Sequence, residues 1–207
     1  MLKEALIPQE VRNVLDLLKK GGFEAYIVGG CLRDLLRGEK PKDWDIATSA
    51  KPEEILKLFT ESFYENKFLT VTVRTGSDDP ALAEIEVTTY RAEGKYTDKR
   101  HPDEVRFAST LEEDLSRRDF TINAMAARLI NMRLEITDPF EGQKDLKNKC
   151  IRAVGEPTKR FEEDALRMIR AVRFAARFEF EIDAETAHAL GENAAWIRAI
   201  AKERVRD

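Results

Sequence analysis

The sequence predicts an α/β head domain followed by a helical segment. This prediction rests on the order in which strand-like and helix-like patterns of apolar residues follow one another along the chain. Short apolar runs typical of strands alternate with helical periodicity as far as Asp145, after which helical periodicity dominates. With 207 residues and 43% hydrophobic content, the chain can build one ordinary domain with an appendage. We assign residues 1–148 to the head and residues 149–207 to an all-helical neck.

Helical spacing and paired glycines define the first elements of the head. Apolar residues recur at helical spacing over residues 8–20, and Gly21-Gly22 ends this helix. A short buried strand is predicted at residues 25–28, followed by a tight turn at Gly29-Gly30 and then a helix. Ser49 is expected to cap a further helix, which runs through Phe59.

Alternation between apolar and polar residues predicts the remaining strands. Ile85 and Val87 face one side of a strand over residues 83–90, while Glu86 faces the other side. The remaining expected elements are strands at residues 43–47, 70–74 and 134–138, a mobile loop at 91–103 and a helix at 111–129.

Asp43-Trp44-Asp45 is the most informative motif in the chain. In a strand, residues two apart point to one face, so both carboxylates would project together while Trp44 packs on the other side. Crowded carboxylates repel unless a cation lies between them, and hard oxygen ligands suit Mg²⁺. The alternative is a solvated turn, because Asp-x-Asp is common by chance.

Glu86 would extend this acidic pair if its strand lies beside that of Asp43 and Asp45. Three carboxylates can hold two Mg²⁺ ions about 3.5–4 Å apart, an arrangement that activates an attacking hydroxyl and steadies a leaving phosphate. Glu84 is the obvious competitor for the role, and an acidic exposed sheet face is the alternative.

Three further groups of residues could bind a nucleotide. Gly29-Gly30 lets a backbone approach a phosphate closely, with Arg33 one turn along the following helix. Arg117-Arg118-Asp119 offers guanidinium groups whose geometry matches phosphate. Asp164 and Arg167, three apart on a predicted helix, could read the edge of a nucleobase, with Arg170 and Arg173 on the same side. The alternatives are an ordinary turn, a surface charge run and a surface salt bridge.

Composition excludes several other classes. The net charge of −4 differs from the strongly basic profile of a free-standing nucleic-acid binder. Cys31 and Cys150 match no zinc or redox spacing, so we expect a reduced, cytoplasmic setting. No signal peptide opens the chain, and no apolar run approaches the ~18 residues needed to span a membrane, so no membrane partner is expected.

Several ordered motifs together resemble one known family. Residues 26–34 and 43–48 are similar to the signature of polymerase-β-type nucleotidyltransferases, and Glu86-Val87-Thr88-Thr89-Tyr90-Arg91 matches the strand of their third carboxylate. Residues 113–124 and Glu163-Asp164-Ala165-Leu166-Arg167 complete the set found in class II tRNA nucleotidyltransferases, the CCA-adding enzymes, whose motifs bacterial poly(A) polymerases share. The resemblance covers residues 5–207.

The resemblance implies a role for each matching residue. Metal binding falls to Asp43 and Asp45, and catalysis also involves Glu86. Contact with the triphosphate falls to Gly30 and Arg33, with Arg118 also binding the nucleotide. Pairing with the incoming base falls to Asp164 and Arg167, with Arg170 and Arg173 nearby. The implied partners are CTP, ATP and the 3′ end of tRNA, and the implied cofactor is Mg²⁺.

Two departures from the family pattern stand out. Phe68-Leu69-Thr70 replaces the usual His-Gly-Thr, which removes a tight glycine turn. Family members also run to about twice this length, and residues 203–207 look like the middle of a continuing helix. We therefore expect body and tail domains, which grip the tRNA, to lie outside this chain.

The resulting hypothesis is template-independent addition of CMP and AMP to the 3′ end of tRNA with release of pyrophosphate. Residues 94–102 resemble the flexible loop of CCA-adding members and favour this activity over poly(A) synthesis. Open alternatives are a poly(A) polymerase, a CC-only or A-only adding enzyme, and a catalytically silent nucleotide- or RNA-binding module. A small-molecule nucleotidyltransferase would explain the first motif but not Asp164 and Arg167.

Overall fold

A seven-stranded mixed sheet forms the centre of the head in a computed structural model that describes residues 7–65, 70–93, 105–131 and 133–199. The predicted α/β head with a mixed sheet is confirmed. The strands are β1 (Ala25–Val28), β2 (Asp45–Thr48), β3 (Ser62–Glu65), β4 (Thr70–Arg74), β5 (Glu84–Thr89), β6 (Arg91–Glu93), β7 (Val105–Phe107), β8 (Ala126–Ile130), β9 (Arg133–Thr137), β10 (Cys150–Ile151) and β11 (Glu181–Ile182).

The helices pack around this sheet and continue beyond it. They are α1 (Gln9–Lys20), α2 (Gly29–Leu36), α3 (Pro52–Leu58), α4 (Leu111–Ser116), α5 (Gly142–Lys147), α6 (Pro157–Glu163), α7 (Leu166–Phe178) and α8 (Ala184–Asn193), with 3-10 turns at Thr121–Asn123 and Ala194–Ala199.

The strand order of the large sheet is β3-β4-β5-β2-β1-β8-β9. All neighbouring pairs are antiparallel except β2 and β5, which run parallel with Asp45 opposite Glu86. Trp44, only 3% exposed, packs into the core formed by α1, α2 and the sheet. Burial of Trp44 and Ile46 therefore fixes which way the start of β2 faces.

The predicted helix over residues 111–129 is wrong in its second half. Only Leu111–Ser116 is an α-helix, and β8 pairs with β1 through Ala127 opposite Ile27 and Ala126 opposite Val28. The apolar run was too short for periodicity to distinguish a strand from a buried helix. Pairing on both sides, with β1 and β9, outweighs the helix preference of alanine.

Smaller corrections concern the starts of elements. Helix α2 begins at Gly29 itself, so the two glycines form its first turn instead of a separate turn. Strand β2 begins at Asp45, which leaves Asp43 in the bend before it. Lys51 is the N-cap of α3, and the Ser49 hydroxyl accepts a hydrogen bond from the Glu24 amide instead.

The predicted loop over residues 91–103 is only partly described. Its first three residues form β6, which pairs with β7. The remainder of that loop and the Phe68-Leu69 departure lie outside the described residues.

Over its described residues, 149–199, the neck is helical apart from one short parallel pair of strands, in which β10 lies beside β11. Its helix α7 buries Ala171, Phe174 and Phe178 against Phe120 and Ile122 of the head. On α7, Met168 is buried, but Val172 is 52% exposed. The division at residue 148 stays a prediction, and a shared apolar cluster crosses it.

Among the described residues, no helix is both long and apolar enough to cross a membrane.

Candidate active site

The parallel pairing of β2 and β5 brings two carboxylates together. Asp45 at the start of β2 is the register partner of Glu86 in the middle of β5. Glu84, the competitor for this role, instead lies opposite Arg74 and forms an ion pair with it at 3.4 Å. The condition set for Glu86, that its strand lies beside that of Asp45, is therefore met.

The electrostatics of Asp45 reflect this crowding. The pKa of the Asp45 carboxyl is raised to about 6, first by burial and then by the charges of Glu86 and Asp43. Arg118 and Arg33 act in the opposite direction. Asp43 is exposed in the bend before β2, yet it is close enough to affect Asp45.

The donor set fits a divalent cation that is held in part by other ligands. Within the described residues, no three His, Cys, Asp or Glu side chains meet closely enough to enclose an ion. Mg²⁺ usually binds one or two carboxylates and completes its shell with water and substrate phosphates. A cation between Asp43 and Asp45 would also relieve the repulsion that raises the Asp45 pKa.

Gly29 lets a cation and an anion approach its backbone closely. Its φ of +72° lies in the left-handed region, and a Cβ there would sit 3.0 Å from Arg118 Nη1 and 3.3 Å from Asp45 Oδ2. Any side chain at this position would therefore be strained and would press on both groups.

Arg118 is held by a carboxylate that the sequence interpretation did not single out. Asp114 is 1% exposed and accepts from Arg118 at 3.0 Å and from Arg117 at 2.8 Å. Burial raises the Asp114 pKa, but Arg117 and Arg118 together hold it below its ordinary value. Asp114 also accepts the backbone N–H of Arg91, which ties β6 to both arginines.

The Nε atom of Arg118 is buried and has no hydrogen-bond partner in the described part of the chain. A buried N–H that stays unsatisfied costs about 1–3 kcal/mol. An anionic oxygen bound beside Gly29 would accept a hydrogen bond from this Nε–H and so complete the hydrogen bonding of the Arg118 guanidinium.

A cleft of about 330 Å³ joins the head to the neck at this point. It brings together six of the residues predicted to act on a nucleotide: Gly30, Asp45, Arg118, Asp164, Arg167 and Arg170. Asp119 and Asn123 also line it, and neither was assigned a role from the sequence. The exposed Arg173 is absent from the described lining.

Asp164 and Arg167 reach the cleft differently from the prediction. The helix breaks between them, because Asp164 has the extended φ and ψ of −145° and 104° and ends α6. The Asp164 carboxylate accepts from the Leu166 amide at 2.9 Å and so caps α7. Arg167, 7% exposed, pairs with Glu163 at 2.8 Å.

Arg33 lies behind the cleft and not in it. It is 5% exposed, and its guanidinium donates to Asp34 at 2.8 Å and to Asn123 at 2.7 Å. The predicted contact between Arg33 and a triphosphate therefore lacks support in this geometry. The sequence could not reveal this, because the groups that bury Arg33 include residues almost 150 positions away.

A second cleft, of about 430 Å³, meets the first one at Asp45, Arg117 and Arg118. It is lined in addition by Val28, Ile46, Thr70, Glu86, Thr88 and Arg91. Asp45 thus stands where the two clefts join, and its register partner Glu86 lines the second cleft.

Comparisons with known proteins find CCA-adding enzymes similar to this chain. A CCA-adding enzyme of Lactobacillus helveticus is 48% identical over 195 residues, which cover 94% of this chain and 47% of that enzyme. A CCA-adding enzyme of Listeria monocytogenes is 47% identical over 194 residues, covering 93% of this chain and 47% of that enzyme. The chain spans about half the length of the curated relatives it matches.

Solved structures show the same similarity. The crystal structure of Bacillus stearothermophilus CCA-adding enzyme in complex with CTP matches with a TM-score of 0.82 and 41% identity, covering 95% of this chain and 46% of that one. A tRNA nucleotidyltransferase complexed with a primer tRNA and an incoming ATP analog matches with a TM-score of 0.74 and 31% identity, covering 93% of this chain and 53% of that one.

The resemblance inferred from the ordered motifs is therefore confirmed. The model of the poly A polymerase head domain matches residues 25–152, which is more than half of the chain. The chain belongs to the family of the poly A polymerase head domain.

Proposed function

We propose that this chain is the nucleotide-adding part of a cytoplasmic CCA-adding enzyme. The 3′-hydroxyl oxygen of tRNA attacks the α-phosphorus of CTP or ATP. A new O–P bond forms, the bond to the β-phosphate oxygen breaks, and pyrophosphate leaves while the hydroxyl proton is lost to water. The observation that carries the proposal is the Asp45–Glu86 register pair, in which Asp45 stands at the junction of two clefts and Glu86 lines one of them.

The first cleft suits the nucleotide. Its phosphate end is formed by Gly29, Gly30 and Arg118, where backbone N–H groups at the start of α2 and a guanidinium favour an anion. Its other end carries Asp164 and Arg167 at the junction of α6 and α7. The groups suited to phosphate thus come from the head, and those suited to a base come from the neck.

The second cleft suits the end of the RNA. In-line displacement requires the hydroxyl to approach the α-phosphorus from the side opposite to the leaving pyrophosphate. With the pyrophosphate near Gly29, that side faces the cleft lined by Glu86, Thr88 and Arg91. Arg91 supplies a cation for the RNA backbone.

Asp43 and Asp45, with Glu86 beside them, would hold the metal ion, which we propose to be Mg²⁺. When bound at these carboxylates, a divalent cation would neutralise charge on the phosphate and lower the pKa of the attacking hydroxyl. Asp45 is fixed by β2, whereas the exposed Asp43 is free to adjust to the ion.

Poly(A) synthesis is the second candidate, because the matching family model is named for that activity. The two activities differ in product length on a tRNA that lacks its CCA end. With CTP and ATP supplied, we expect three added nucleotides; a long tract of A would contradict CCA addition.

Replacement of Asp43 by Ala should abolish incorporation of labelled CMP into such a tRNA. Loss of one metal ligand removes transition-state stabilisation, so the rate should fall at least about a hundredfold. Glu84→Gln is the matched control, because Glu84 is an acid at the start of β5 that pairs with Arg74, and its rate should stay within about twofold. Equal rates for the wild type and Asp43→Ala would refute metal catalysis at this site.

That assay should be run with this chain alone and with this chain fused to the C-terminal half of the Lactobacillus helveticus enzyme. If the fusion protein is active and this chain by itself is not, the residues that bind the tRNA lie in the added C-terminal half. An inactive but folded fusion protein that still binds CTP would favour the silent-module alternative.

Replacement of Gly29 by Ala should separate backbone strain from damage to the site. A residue other than glycine in the left-handed region costs about 1–2 kcal/mol, and here the Cβ would also press on Arg118 and Asp45. Gly38→Ala is the control, because Gly38 has a φ of +77° and open space around its Cβ position. Both variants should lower Tm similarly, but only Gly29→Ala should raise the KM for CTP, by about tenfold. A similar loss of activity in both would contradict the close-approach role of Gly29.

Replacement of Asp164 by Asn should weaken selection of CTP over UTP. An aspartate accepts from the amino group of cytosine, and such a contact provides about 1–3 kcal/mol of discrimination. Asn keeps the side-chain oxygen that caps α7, so the fold should be preserved. We expect the ratio of kcat/KM values to fall about tenfold. The control is Asp183→Asn at the N-cap of α8, which should leave the ratio unchanged. An unaltered ratio in Asp164→Asn would exclude base reading by this residue.

A further inference from the structure

Arg33 connects the two ends of the nucleotide cleft from behind. It belongs to α2, whose first residues line the phosphate end, and its Nη2 lies 3.5 Å from where a Cβ of Gly30 would be. Its guanidinium carbon lies 4.7 Å from the ring centre of Phe178 and 5.4 Å from that of Phe174. Both rings belong to α7, the helix that begins beside Asp164 and carries Arg167.

The rings that receive Arg33 form an ordered stack. Phe174 and Phe178 lie nearly parallel, with centres 5.5 Å apart, and Phe120 of the head meets Phe174 edge-on at 5.7 Å. A guanidinium over the face of a ring is stabilised by about 0.5–2 kcal/mol, with the larger values at desolvated sites. At 5% exposure, Arg33 is a desolvated case.

A chain of hydrogen bonds runs parallel to this stack. Arg33 donates to Asn123 at 2.7 Å, and Asn123 donates to Asp119 at 3.1 Å. Asp119 then accepts from Arg170 on α7 at 2.7 Å. Burial raises the pKa of Asp119, but Arg170 and Asn123 hold it below its ordinary value, so the link is a charged one.

The planar shape of the guanidinium allows these contacts to be made at once. Its edge donates to Asp34 and Asn123, while its face covers the two phenylalanine rings. The edge of the guanidinium is thus occupied by residues of the head domain, and its face lies against residues of the neck. Arg33 therefore does not line the cleft.

We propose that Arg33 is a positioning residue for base selection, which fixes α7 against α2 and so sets the distance between the phosphate end and the base end of the cleft. This inference rests on the proposed function, because it takes Asp164 and Arg167 as the groups that read the base. A misplacement of about 1 Å in a binding site can cost on the order of a hundredfold in rate. If α7 is less firmly positioned, the preference for CTP over UTP should therefore decrease.

The test measures binding, which needs neither RNA nor catalysis. Calorimetry gives the Kd of CTP, UTP and inorganic tripolyphosphate for the wild type, Arg33→Lys and Phe178→Leu. Tripolyphosphate probes the phosphate end alone, and Lys keeps the positive charge while losing the flat face and the fork of donors. Phe178→Leu keeps Arg33 and removes one ring of the stack, which provides a milder change if Arg33→Lys lowers Tm too far.

We expect the preference for CTP over UTP to fall at least about fivefold in both variants, while the Kd of tripolyphosphate changes less than about twofold. Arg177→Gln is the matched control, because Arg177 lies over Phe178 at 5.4 Å from within α7 and makes no bridge to α2 in the contacts described. It should leave both quantities unchanged.

Three results would overturn the inference. A tenfold weaker tripolyphosphate Kd in Arg33→Lys, with Phe178→Leu unaffected, would make Arg33 a phosphate ligand. An unchanged CTP preference in both variants would make the contacts merely structural, and a wild type without a CTP preference would leave no selection to position. A wild type that prefers CTP, in a fusion protein that adds no nucleotide to tRNA, would refute the proposed function while this inference is still decided by binding.

Discussion

The in-register pairing of β2 with β5 is the constraint on which the rest of the site depends. Apolar side chains set this pairing, because Ile46 and Val87 are register partners that are both fully buried in the core. Once these residues face the core, Asp45 and Glu86 must stand side by side at the same sheet position. Burial of these apolar side chains thus holds the Asp45 and Glu86 carboxylates together despite their mutual repulsion.

The features around that pair offset its repulsion. Arg118 lowers the pKa of Asp45, and it can approach because Gly29 has no side chain. Asp114 in turn holds Arg118 and also accepts the amide of Arg91. One buried carboxylate therefore connects the start of β6, the Arg118 guanidinium and the acidic pair, and a bound divalent cation would complete the balance of charge.

The sequence predicted what local patterns encode and missed what distant packing decides. Alternation placed Glu86 correctly, and the glycine pair marked the entry to α2. The strand β8 was predicted as a helix because a run of small apolar residues suits either state until its neighbours are known. The break at Asp164 was missed because its capping bond to Leu166 competes with helix continuation only in three dimensions. Arg33 was assigned to phosphate from its place in a motif, whereas α7 folds back to bury it.

Binding of Mn²⁺ in the presence of CTP, followed by electron paramagnetic resonance, tests most directly the claim that the acidic pair is a metal site. The account predicts that Asp45→Asn weakens Mn²⁺ binding at least about tenfold relative to the wild type, because a neutral amide replaces the carboxylate fixed at the junction of the clefts. Glu84→Gln, which alters an acid on β5 outside that junction, should bind Mn²⁺ as the wild type does. Equally tight binding in Asp45→Asn and the wild type would contradict the account.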